Sequence, residues 1–66
     1  MNEKLFNKAL DAMNEYMAAH EAYIFNQPTK EFSSKDEEYV YLGNGIDHSL
    51  GKYEIATGLF IPDDGE

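Results

Sequence analysis

Residues 38–46, Glu38-Tyr39-Val40-Tyr41-Leu42-Gly43-Asn44-Gly45-Ile46, decide the fold. Tyr39 to Leu42 are all good strand formers, and they alternate with a period of two. Val40 and Leu42 fall on one side, Tyr39 and Tyr41 on the other. Gly43-Asn44-Gly45 follows, and Asn-Gly is the strongest short hairpin signal. The sequence therefore predicts a strand and a reversal, with Ile46–Leu50 as a short return strand or loop ended by Gly51.

Downstream, Lys52-Tyr53-Glu54-Ile55 reads as a second strand. Ala56-Thr57-Gly58 reads as a turn with Gly in the left-handed position. Leu59-Phe60-Ile61 continues as a third strand or extends the second across a bulge. Pro62 should stop further pairing, and Asp63-Asp64-Gly65-Glu66 forms an acidic tail. Tyr53 is a candidate to join Tyr39 and Tyr41 on one sheet face.

Upstream, residues 28–37 read as a polar linker. Its one large apolar residue, Phe32, is expected to plug the edge of the core. Before it, residues 1–27 carry one amphipathic helix. Phe6, Leu10, Met13, Met17, His20 and Ile24 recur at spacings of three and four, flanked by a second apolar row. Asn2 is a suitable N-cap. Pro28 disfavours helical geometry at Gln27, so the helix should run from about residue 3 to Phe25-Asn26.

The predicted class is α+β: an N-terminal helix packed on a small antiparallel meander of two to four strands, in one domain over 1–66. Phe6, Leu10, Met13, Met17, Val40, Leu42, Ile55 and Phe60 should share its core. A 66-residue chain without cysteine has no disulfide or thiolate metal site to staple it. Its stability must come from packing or self-association. The helix stripe is wider than a small sheet covers, which makes a homodimer through the helix or a sheet edge a competing expectation.

Thirteen Asp and Glu oppose five Lys, with no Arg, for a net charge of -8. Direct binding to nucleic-acid phosphates would add repulsion, and anionic membranes are disfavoured likewise. The opening Met1-Asn2-Glu3-Lys4 is not read as a signal peptide, because acidic residues appear at once. The expected location is cytoplasmic.

Catalytic and metal chemistry find little support. His20 lies on the apolar side of the helix, where a boundary histidine with one bonded nitrogen is the plain reading. His48 sits beside Asp47 in a turn region, and a His20–His48 metal pair needs the fold to join them. There is no His-x-x-x-His, and Ser33, Ser34 and Ser49 lack a nucleophile context. Gly43-Asn44-Gly45 lacks the lysine and following helix of a phosphate loop. No cofactor and no enzymatic activity are expected.

The aromatic content points to recognition, since tyrosine offers large contact area at low entropy cost. Nine of the thirteen acidic residues follow Pro28. Tyrosines in a negative field suit a basic protein surface. In size, charge and tyrosines, though in no motif, the chain is similar to small acidic proteins of phages and mobile elements. Some of those mimic the charge of DNA. The expectation is a small regulator or inhibitor docking on a basic partner, such as a nucleic-acid-binding protein or nuclease. The residues expected to carry it are Glu38, Tyr39, Tyr41, Asp47 and Glu54. A self-associating accessory domain is the alternative.

Overall fold

In the computed structural model, which describes residues 1–22, 26–46 and 49–63, the first element is a helix, α1, over Glu3–Ala19. Asn2 caps it: its side-chain oxygen accepts from the Lys4 N–H at 2.7 Å and the Leu5 N–H at 3.3 Å. These are amides that the helix itself leaves without partners.

The helix ends earlier than the sequence suggests. Glu21 takes a left-handed φ of 53°. Its N–H donates to Ala18 O at 3.3 Å, and the Ala22 N–H donates to Met17 O at 2.8 Å. This pair of bonds closes the helix C-terminus in a Schellman motif, with glutamate where glycine is usual. A residue in the left-handed region cannot continue a right-handed helix, so the chain turns out at Glu21 rather than at Pro28. Tyr23, Ile24 and Phe25, the rest of the expected helix, lie outside the described residues.

Four strands follow, β1 (Ser34–Lys35), β2 (Tyr39–Leu42), β3 (Gly51–Glu54) and β4 (Leu59–Pro62). They form one antiparallel sheet in the order β1-β2-β3-β4. The α+β architecture is the one the sequence predicts.

Two connections differ from expectation. Residues 28–37 are not simply a linker. They hold a 3-10 turn at Lys30–Phe32 and then β1, which pairs Ser34 with Tyr41 and Lys35 with Val40. Asp36 makes this hairpin possible. Its Oδ1 accepts from the Glu38 and Tyr39 N–H groups, both at 2.8 Å, and its own N–H donates to Tyr39 O at 2.9 Å. The side chain thus holds the turn amides that a backbone carbonyl would otherwise hold.

Asn44-Gly45 is not a two-residue hairpin turn. β2 pairs directly with β3, with Leu42 facing Gly51, so eight residues rather than two separate the strands. Asn44 is buried and stitches loops together: Nδ2 donates to Asn26 O at 2.6 Å, and Oδ1 accepts from the Ile46 N–H at 2.8 Å. Thr29 N–H donates to Gly43 O at 3.0 Å alongside. Asn26–Ser33 therefore lies against loop 43–46, which a tight hairpin would not reach.

The core sits between α1 and one sheet face. Phe6, Ala9, Met13, Val40, Leu42, Tyr53 and Phe60 are buried, with Leu10, Met17 and Ile55 packed half-buried around them. Tyr53 faces Val40 across the ladder and so points to the helix, not to the outer tyrosines. The helix stripe is centred on Ala9, fully buried. An alanine there lets the helix axis approach the sheet. Phe32 stays half-exposed outside this cluster, its ring beside Gly45.

Candidate functional site

The sheet face turned away from α1 collects exposed and half-buried side chains. The ladder places Ser34, Tyr41, Lys52 and Ile61 in one row across the four strands, and Tyr39, Glu54 and Leu59 in the next. Alternation puts each on the face opposite Val40, Leu42, Tyr53 and Phe60.

Tyr39 and Tyr41 stand side by side on β2, their ring centroids 6.1 Å apart. Tyr41 donates its hydroxyl hydrogen to Asp36 Oδ2 at 2.6 Å. That bond holds the Asp36 carboxyl below its ordinary range, helped by the Tyr39 and Glu38 amides, and it raises the Tyr41 phenol. The Tyr39 phenol is raised as well, chiefly by the negative charge of Glu54 facing it across the ladder. Lys52 reaches back over the Tyr39 ring, with Nζ 4.5 Å from its centroid, a cation–π contact. Glu54 also accepts from the Thr57 hydroxyl at 2.7 Å.

Of the sequence-predicted residues, Tyr39, Tyr41 and Glu54 share this face, and Glu38 sits in the adjoining β1–β2 turn. Asp47 lies outside the described residues. The sequence reading missed five members of the face. It places Ser34 and Asp36 only in the polar linker, and Lys52 only in a strand. Leu59 and Ile61, 62% and 38% exposed, were grouped with Phe60. Their alternation about Phe60 was the available signal, because a buried Phe60 forces both neighbours outward.

Between Tyr41 and Ile61 the face opens into a depression of about 370 Å³, bordered by Gly51, Lys52 and Pro62 and closed at the strand ends by Ser49 and Asp63. Lys52 lines it while its Nζ lies over Tyr39. On the other side of the molecule, His20 donates from Nδ1 to Tyr16 O at 2.9 Å and stacks on the Tyr16 ring at 4.0 Å, an exposed helix cap. Among the described residues, no group of three His, Asp or Glu is placed to hold a metal ion, and no helix is long and apolar enough to cross a membrane.

No known protein family, curated protein or solved structure matches this chain. Its function must be argued from the geometry of this face.

Proposed function

We propose that the chain is a small protein-binding regulator that docks its outer sheet face on a basic surface of a partner. A nucleic-acid-binding protein or a nuclease has such a surface. One observation carries the reading: Tyr39, Tyr41 and Glu54 share the sheet face that α1 does not cover, beside the Asp36-Glu37-Glu38 turn. Fixed aromatics supply contact area, and the carboxylates supply steering toward Lys and Arg. The tyrosines are braced by Asp36 and Lys52, so little side-chain entropy is lost when a partner covers them. The homodimer alternative draws less support, since the centre of the helix stripe is already occupied by the sheet.

The test compares wild type with a Glu38→Lys/Glu54→Lys variant as baits at low and high salt. Wild type should retain basic proteins that salt releases and the variant should not, with circular dichroism showing the variant folded, since half-buried Glu54 also accepts from Thr57. Identical captured sets for both baits would remove this face as the binding site.

A further inference from the structure

The outer face is not uniformly acidic. Read from the β1–β2 turn toward β4, it passes from Asp36, bonded to Tyr41, to the tyrosine pair, then to Lys52 and Glu54, with Glu37 and Glu38 in the adjoining turn. It ends on exposed Leu59 and Ile61 at the sheet edge. The depression of about 370 Å³ lies where the tyrosine and apolar zones meet, between Tyr41 and Ile61.

Two features limit what can occupy this face. The first is the β4 edge. Asp36 N–H donates to Tyr39 O and Ile55 N–H to Glu38 O, which sets the alternation of the ladders. By that alternation Leu59 and Ile61 turn their backbone groups toward β3, and Phe60 and Pro62 turn theirs to the open edge. Pro62 has no N–H to offer, so an added strand would find a donor only at Phe60. Strand addition at β4 is therefore disfavoured, and β1, the other edge, is only two residues long, so the face offers the larger docking surface. The second feature is width. The tyrosine column on β2 and the Leu59–Ile61 column on β4 are two strand spacings apart, about 10 Å. That is close to the diameter of an α-helix, about 10–12 Å.

We infer that the partner element is a basic amphipathic helix laid across β2–β4. It seats a large apolar side chain in the depression beside Ile61 and turns its Lys and Arg toward Asp36 and Glu54, with Glu38 adding to the negative field from the turn. This rests on the acidic-face reading proposed above and adds to it the shape and apolar component of the partner. Charge chooses the sign of the helix: a net charge of -8 repels an acidic amphipathic helix and a second copy of this chain alike.

The probe is a fluorescent leucine–lysine peptide about five turns long, with its leucines on one helical face. The control is a peptide of the same composition with leucines spread around the helix. Wild type should bind the amphipathic order about tenfold or more tightly. Ile61→Asp should abolish that preference while keeping salt-sensitive binding of both peptides. Leu59→Ser, a milder change at a 62% exposed side chain, should reduce it in part. Glu38→Lys/Glu54→Lys should lose both peptides. Equal binding of the two peptides by wild type overturns the helix inference and leaves the acidic-face reading standing. Failure to bind either at low salt overturns both. A wild-type dimer in sedimentation that Ile61→Asp dissociates makes a second copy the occupant, and likewise overturns the inference.

Discussion

One carboxylate, Asp36, accepts three hydrogen bonds, from the Glu38 and Tyr39 amides and the Tyr41 hydroxyl. These bonds favour the charged form, so its folded pKa lies below the ordinary value. The stabilisation it gives is then fully present above about pH 4 and is lost as pH falls through the lowered folded value. Asp36→Asn keeps an amide acceptor but removes the charge. The variant should melt below wild type at neutral pH, and the two curves should converge in acid. A melting gap that stays constant from neutral pH into strong acid would show that the carboxylate charge is not what matters. In alkali, the Tyr41 phenol of the same variant should ionise closer to its ordinary range, read by ultraviolet titration. Gly51 is the second decisive residue. Its φ is 152°, and a Cβ there would meet the Phe60 ring (2.7 Å from Cε1) and stand 2.8 Å from Ile61 O. Gly51→Ala should cost roughly 2–4 kcal/mol in urea unfolding, from overpacking and backbone strain together. Sequence reading saw Gly51 only as a breaker, because the ring that fills its missing side chain comes from another strand.

At the scale of elements, the two ends of α1 contrast. Asn2 was legible as a cap because capping depends on local side-chain chemistry alone. The C-terminus was not. No glycine marks it, and Glu21 adopts the left-handed conformation at a steric cost, close to helix carbonyls that disfavour its charge. Glu21→Gly should raise stability by about 0.5–1 kcal/mol, measured by thermal melting. A lower melting temperature would mean that the Schellman closure does not set the helix end. β4 makes the opposite case. Leu59-Phe60-Ile61-Pro62 bears no charge and lies at the sheet edge, where uncharged strands invite pairing. Pro62 protects it by withholding an N–H at a position where no ladder bond is lost. Pro62→Val should leave the fold intact and increase self-association with concentration, followed by light scattering. An unchanged mass over the same range would show that the edge is protected by something else.

In the whole molecule, helix and sheet share one core, and its centre is displaced from the expected one by part of a helical turn. Met13 is fully buried, while Leu10 is only half-buried at the margin. Met13→Ala should therefore cost roughly 2–5 kcal/mol, a large share of what a small domain holds, and Leu10→Ala distinctly less. Equal losses in denaturant titration would return the centre of the stripe to Leu10. The displacement follows from Ala9. Periodicity ranks large residues as core, but the closest approach of a helix to a sheet is made where the side chain is smallest.

Periodicity, capping chemistry and charge were properties of the sequence by itself. They determined the class of fold, the existence and order of α1, β2 and β3, and the shared face of Tyr39 and Tyr41; they left open whether Leu59–Ile61 is a strand of its own or an extension of β3. Each rests on interactions within a few residues, or on an alternation that the pleat imposes on any strand. Tertiary structure alone decided where α1 stops, that β1 exists and that Asn44 is a buried stitch between loops. It also decided that Tyr53 faces the helix while Leu59 and Ile61 join the tyrosines. Those features depend on the register between strands and on which surface lies beneath a residue. A register that pairs Tyr39 with Glu54 is chosen by the summed packing of both sheet faces, and no single segment of the chain carries that sum.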